Sequence, residues 1–333
     1  MKSILLFTFL FFTTTSAFAQ NIQHEVTSLV YHRFGDDRFP STNIATETFE
    51  EHLKFLKDQG YTSLTISEVA DEVNDSTSSR KKLVAITIDD GYKSFYEKGL
   101  PLLKKYGFKA TLFVNTKSIG YTDYMSWKDI AEAQKAGVEI GNHSHSHPFF
   151  LSVSERARDS FFKQEVQESQ DLMKTNLNFT PKVFAYPYGE HNDEMSFALS
   201  EMGFKAAVAQ NSGVITEYSN IYQLPRFPMS ESYGDLDQFK DKMKMKGLAV
   251  VKAEAVSSGY NGSVEKPRIN IDFNEEGLFV ESMQCFVQGS KCAKSMRITR
   301  DGKVALSIRP QTDLKARRTL FTITIPDSKG NWH

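Results

Sequence analysis

The run Leu83-Val84-Ala85-Ile86-Thr87-Ile88 is apolar or β-branched throughout, and it halts on Asp89-Asp90-Gly91-Tyr92. Such a run reads as a strand buried on both faces, the kind that parallel sheets require. Two adjacent carboxylates at the mouth of a strand repel each other unless a positive charge stands beside them. Further along, the chain reads Gly141-Asn142-His143-Ser144-His145-Ser146-His147-Pro148. A carboxylate with imidazoles at short spacing is a ligand set for a divalent metal that keeps a coordination position open. Residues i and i+2 share a side of a strand, and i and i+4 meet in a turn, so at least two of the three imidazoles can converge. The expectation is that these two stretches close on one metal ion.

The surrounding chain alternates strand and helix. Strands are expected near 26–31, 61–66, 83–88, 108–114, 138–141, 182–186 and 205–209. Helices are expected from Thr48 to a left-handed Gly60, over 93–106, from a Ser126-Trp127-Lys128-Asp129 capping box to about Lys135, over 154–176 and 193–202, and over 236–245 before Gly247. This alternation predicts parallel strands wrapped by helices, class α/β. A barrel fits better than an open sheet, because the chemistry follows several different strands, as at the C-terminal mouth of a barrel. No glycine-rich phosphate loop is present, which disfavours a dinucleotide fold. Past about residue 250 short alternating stretches take over: 268–273, 278–287, 293–298, 303–308 and 319–325, with turns such as Arg300-Asp301-Gly302 between them. They predict a small antiparallel, sandwich-like β domain. Its Cys285 and Cys292 are expected to face each other across a hairpin as a structural disulfide.

At the N-terminus, Lys2, the apolar Ile4 to Phe12 and Ala17-Phe18-Ala19 before Gln20 fit a cleaved export signal. The layout is therefore 1–19 signal peptide, 20–248 catalytic domain and 249–333 C-terminal β domain. A periplasmic, cell-envelope or secreted location is expected, with oxidising conditions for the cysteines. No later apolar stretch is long enough for a stable membrane helix. The formal charge of -1, without any basic patch of interleaved aromatics, gives no reason to expect nucleic acid.

The conjunction of motifs makes a resemblance specific. Ile86-Thr87-Ile88-Asp89-Asp90-Gly91 resembles the first motif of the polysaccharide deacetylases, the NodB-homology group or carbohydrate esterase family four. His143-Ser144-His145-Ser146-His147 is similar to the second motif, and Phe184-Ala185-Tyr186-Pro187-Tyr188-Gly189 to the third. With the early Tyr31-His32-Arg33-Phe34, the pattern looks most like the exported poly-N-acetylglucosamine deacetylases. The likeness spans roughly residues 26 to 230 and stops short of the β domain. It implies a distorted (β/α) barrel of about seven strands. It also implies Asp90, His143 and His147 as ligands of a divalent metal, most plainly Zn²⁺, with Asp89 as base, Tyr188 as backbone oxyanion donor and His145 as a bystander. The substrate implied is a polysaccharide containing N-acetylhexosamine: poly-N-acetylglucosamine first, then peptidoglycan or chitin-like glycans.

Three positions depart from the family pattern. The family's late acidic histidine is missing, which leaves His32, His191 or Asp89 itself to protonate the leaving amine. The usual arginine of the third motif is Ala185, and Arg226 in Leu224-Pro225-Arg226-Phe227-Pro228 is either its replacement beside Asp89 or a surface or ion-pair residue. No tryptophan lies between Trp127 and Trp332, so Tyr186, Tyr188 or Tyr222 would take the place of a sugar-packing wall. Rival readings are an O-acetyl esterase, which needs the same metal and base but no strong acid, and a non-catalytic glycan-binding protein. A second carboxylate argues against the latter.

Overall fold

The apolar run at 83–88 is a strand buried along its whole length. The computed structural model describes residues 22, 24–75, 81–256, 266–300 and 302–333, so the export signal expected at 1–19 lies outside the described residues. In chain order the elements are β1 (Val26–Tyr31), the short β2 (Arg33–Phe34) and β3 (Asn43–Ile44), α1 (Thr46–Asp58), β4 (Thr62–Leu64), α2 (Ile66–Glu72) and β5 (Leu83–Ile88). There follow α3 (Leu100–Tyr106), β6 (Thr111–Val114), α4 (Trp127–Lys135), β7 (Glu139–Asn142), α5 (Glu155–Leu177), β8 (Val183–Ala185) and α6 (Asp193–Glu201). The last are β9 (Ala206–Val208), β10 (Val214–Ile215), β11 (Phe227–Pro228) and α7 (Leu236–Lys244).

The strands form one sheet in the order β10-β1-β5-β6-β7-β8-β9, with β4 also on β5 and β11 also on β1. All of its pairings are parallel except that of β10. Side chains alternate between two apolar layers. Leu83 and Ala85 join Val26, Phe113, Val183, Ala185, Ala206 and Val208 inside, and α2 buries Ile66 and Val69 against them. Val84, Ile86 and Ile88 point outward to the helices. The sheet curls until residues 224–229 cross from β9 to β1. Leu224 N donates to Ala207 O, Ala209 N donates to Leu224 O, and Met229 N donates to Val30 O. The result is a barrel, as the pattern predicts, and a distorted one, as the resemblance implies.

Local chemistry sets the helix ends. Ser126 and Asp129 form the capping box of α4, and Gly60 and Gly107 take left-handed conformations after α1 and α3. The helix expected over 93–106 is instead a π-turn, Phe95–Gly99, followed by α3, with Leu100 N donating to Phe95 O. Pro101 has no N–H to give, which breaks the regular ladder there. Helix α7 ends before Gly247, whose N–H is taken by the Glu25 carboxylate rather than by a helix carbonyl.

The β domain contains a four-stranded antiparallel sheet, β12 (Val250–Val256), β13 (Arg268–Asn274), β16 (Lys303–Pro310) and β15 (Cys292–Ile298) in that spatial order, beside a pair made of β14 (Gln284–Val287) and β17 (Phe321–Thr324). Phe273, Val304, Leu306, Ile308 and Ile325 fill the space between them. Two expectations need correction. The stretch 278–287 is a 3₁₀ turn, Val280–Ser282, before a shorter strand. The disulfide Cys285–Cys292 exists, but not across a hairpin: β14 pairs with β17 while β15 pairs with β16, so the bond ties the two sheets together. The tight turn bridging Val287 and Ser290 carries the chain from one sheet to the other. The strand β12 has no counterpart in the sequence reading.

Gly141 on β7 sits directly opposite Phe113 on β6, and a Cβ there would lie 2.4 Å from the Phe113 ring. Both neighbours are packed barrel wall, so the ring has little room to yield. Gly141→Ala is expected to cost about 1–3 kcal/mol, read as a lower Tm in thermal unfolding. An unchanged Tm would show that the wall is looser than this packing indicates.

Candidate active site and metal centre

Strand parity aims Thr87 and then Asp89 into the barrel, and Asp89 N continues the ladder by donating to Tyr31 O at 2.9 Å. A regular strand would send the next side chain to the opposite face. Asp90 avoids this by adopting φ 72°, followed by Gly91 at φ 75°, and both carboxylates stay at the mouth. Asp89 is wholly buried. Its two oxygens accept from Arg226 Nη1 at 2.7 Å and Nη2 at 2.8 Å, a bidentate pair with no exposed surface on either side. Arg226 comes from the segment that closes the barrel, and it also donates to Ala209 O and Thr87 Oγ1. Burial on its own would raise the Asp89 carboxyl, but the Arg226 guanidinium outweighs it and holds the group below the usual carboxylate range.

The histidine loop is built by its own polar side chains. Asn142 Oδ1 accepts from Ser144 N, Ser144 Oγ accepts from His147 N, and Glu165 of α5 accepts from both Ser146 N and Ser146 Oγ. Ser144 and His147 are bent to φ 64° and 55°. His143 Nδ1 donates to Ala185 O at 2.7 Å, which fixes the tautomer and leaves Nε2 facing the centre. His143 Nε2 lies 3.5 Å and His147 Nε2 3.4 Å from Asp90 Oδ1, and the two Nε2 atoms are 3.1 Å apart. Donors about 2.0–2.2 Å from a tetrahedral zinc ion stand roughly 3.3–3.5 Å from one another, so the triangle fits such a cation.

The electrostatics agree. Burial opposes ionisation of Asp90, yet the His143 hydrogen bond and the charges of His32, His143 and His147 keep it well below the ordinary range. Burial also opposes a charged His143, but Asp90 and Asp89 lift it above the usual imidazole value. His147 is pushed down to about 4 by burial and by His143, which favours the neutral, ligating form.

The other predicted residues divide clearly. Tyr188 stands at φ 59° with its ring edge-on to His147 at 4.5 Å and stacked on Phe149 at 3.8 Å. His32 directly follows β1, within electrostatic reach of Asp89, Asp90 and His147. His191 is turned away: its Nδ1 bonds Gly189 O, its ring lies against Tyr186, and its charged neighbours are Asp193 and Arg318. His145 bonds Thr116 and pairs with Glu168. Tyr186 and Tyr222 do not make the sugar wall that the sequence suggested, since Tyr186 is buried with its hydroxyl on Ser196 and Tyr222 O, and the Tyr222 hydroxyl donates to Phe204 O. The sequence reading missed Asn115, whose amide donates to Asp90 O, as well as Glu165, Phe149 and two arginines of the β domain. An acid nineteen residues after Ser146, or an arginine in the distant β domain, leaves no local trace in the sequence.

The sequence pattern of the polysaccharide deacetylases matches residues 76–207. YxkH of Bacillus subtilis, named for the same family, is 30% identical over 202 residues, covering 61% of this chain and 70% of its own. The poly-beta-1,6-N-acetyl-D-glucosamine N-deacetylase of Staphylococcus aureus is 26% identical over 214 residues, 61% of this chain and 73% of that protein. Among solved structures, the deacetylase PplD of Streptococcus pyogenes superposes with a TM-score of 0.60 at 24% identity, over 66% of this chain and 99% of that one. IcaB from Ammonifex degensii gives 0.57 at 24% identity, over 65% and 94%. The chain belongs to the polysaccharide deacetylase family, the NodB-homology group of carbohydrate esterase family four.

Proposed function

We propose that this chain is an exported, metal-dependent N-deacetylase that removes acetyl groups from an N-acetylhexosamine polysaccharide, poly-N-acetylglucosamine in the first place. Its layout would be a signal at 1–19, a catalytic domain at 20–248 and a β domain at 249–333. The observation that carries the reading is the division of labour at the barrel mouth. Asp90 faces the two imidazole Nε2 atoms, while Asp89 beside it is held ionised by Arg226.

Asp90, His143 and His147 would hold the cation. Bound there, a Zn²⁺-like ion supplies Lewis-acid polarisation of an amide carbonyl and a lowered pKa for a bound water. Asp89 takes the proton from the attacking water at a carboxylate oxygen, each of which keeps a lone pair beyond its bond to Arg226. Arg226 keeps that carboxylate charged and in place. The backbone N–H of Tyr188 donates to the carbonyl oxygen as negative charge builds on it. An amide has a poor leaving amine, so a proton must reach the nitrogen. His32, next to β1 at the barrel mouth, is the donor rather than His191, whose Nδ1 is engaged by Gly189 O and whose ring lies against Tyr186. The products are acetate and a free amino sugar.

The direct test is acetate release from N-acetylglucosamine oligomers by the purified protein, before and after chelation and after zinc is restored. Loss on chelation with recovery on zinc is expected. Release from acetyl esters alone would replace the amidase reading with an esterase one. Asp89→Asn should retain zinc in a competition titration yet lose about 10²–10⁴-fold in kcat. An Asp89→Asn protein with native kcat would remove Asp89 as base. Arg226→Met strands a buried carboxylate and should cost about 3–5 kcal/mol in a denaturant titration. A loss below about 1 kcal/mol, the range of exposed ion pairs, would contradict the buried pairing.

A further inference from the structure

Part of the wall beside the metal ligands comes from the far end of the chain. Arg317 and Arg318 lie in the loop between β16 and β17. Arg318 Nη1 donates to Tyr188 O at 2.6 Å, and its Nη2 donates to Gln210 O at 2.9 Å. Arg317 makes a bidentate pair with Glu190 at 2.8 Å through Nε and Nη2, and Nη1 donates to Ser152 Oγ. Its guanidinium also lies 4.6 Å over the ring of Phe149, the ring that stacks on Tyr188. Two neighbouring side chains of the β domain therefore grip one turn of the catalytic barrel.

That turn is under strain. Tyr188 sits at φ 59°, ψ 5°, a left-handed conformation that costs a non-glycine residue about 1–2 kcal/mol. It persists only where the surroundings over-determine it. The turn's own bonds, Gly189 N to Tyr186 O and Glu190 N to Pro187 O, supply part of the restraint. Close packing supplies another, since a Cβ on Gly189 would lie 2.6 Å from Gln210 Cβ. The rest comes from Arg317 and Arg318, which clamp the Tyr188 carbonyl and the Glu190 carboxylate. The β domain is fastened to the barrel elsewhere as well: Lys246 N donates to Trp332 O, and the His333 ring donates to Gly247 O. Docking of the domain thus does not rest on the arginine pair alone.

We propose that Arg317 and Arg318 are positioning residues of the active site, through which the C-terminal β domain holds the Tyr188 turn against the metal-binding histidines. The inference rests on the reading of Tyr188 as a donor to the substrate carbonyl. Without the arginines the turn relaxes toward unstrained dihedrals, the Tyr188 ring leaves its place beside His147, and the Tyr188 N–H is reoriented.

The test compares the full-length protein with Arg318→Ala, Arg317→Ala and Arg318→Lys by three measurements. These are amide hydrogen exchange of peptides covering 186–191, kcat and KM on N-acetylglucosamine oligomers, and zinc affinity. For Arg318→Ala, exchange in 186–191 should rise about tenfold while the barrel strands are unaffected. Its kcat should fall about tenfold or more at unchanged zinc affinity, the signature of a misplaced group rather than a lost ligand. Arg318→Lys carries the charge but cannot reach two carbonyls at once, so it should recover only part of both effects. Unchanged exchange in 186–191 would overturn the proposal. Exchange raised throughout the barrel would also overturn it, by showing a general loss of stability. A native protein with no deacetylase activity would sink the proposed function but leave the exchange comparison able to decide the clamp.

Discussion

Two ionised carboxylates, adjacent in the chain and both buried, set the terms for this barrel. Unit charges about 5 Å apart repel by about 3 kcal/mol at an effective dielectric near 20, before any cost of desolvation. The fold meets that cost by giving each acid its own nitrogen partners. Asp89 receives a guanidinium from Arg226, in a pair closed to solvent. Asp90 receives the imidazoles of His143 and His147, arranged as a cation would need them. Neighbours of one residue type thereby acquire different surroundings, one paired with a guanidinium and the other facing two imidazoles.

Arg226 joins this electrostatic requirement to the topology. The segment carrying it is also the seam of the barrel, bonded to β9 on one side and β1 on the other. A guanidinium buried at the seam without Asp89 would be as unfavourable as Asp89 without the guanidinium. Closing the barrel and completing the site are in that sense one event. The guanidinium thus reaches Asp89 from the closing segment, while the Ala185 carbonyl orients His143.

What the sequence reveals follows from how local each signal is. The strand at 83–88, the acids after it and the histidine loop are contiguous, and their periodicity and spacing read directly onto β5 and β7. Arg226 was legible only as one of two alternatives, because 137 positions separate it from Asp89 and nothing in its own neighbourhood marks a partner. The cysteine pair misled for a related reason. A spacing of seven suits a hairpin, but strand pairing in the β domain is decided by which apolar faces meet, and β14 finds β17 instead. The π-turn before α3 was hidden because the 93–106 pattern carries helical periodicity through a proline that cannot donate.

Backbone strain gives the last connection between these parts. Of the five non-glycine residues at positive φ among the described residues, Asp90, Ser144, His147 and Tyr188 line the candidate site, and Asn178 merely ends α5. Each of the four is braced by a neighbour. Asn115 bonds the carbonyl of Asp90, Asn142 takes the N–H of Ser144, Ser144 takes that of His147, and Arg318 bonds the carbonyl of Tyr188. Three of those braces belong to the barrel itself, from β7 and its loop or the residue after β6. The fourth does not: Arg318 comes from the loop between β16 and β17 of the β domain. The left-handed Tyr188 turn is thus the one of the four whose brace comes from outside the barrel, through an arginine more than a hundred positions further along the chain.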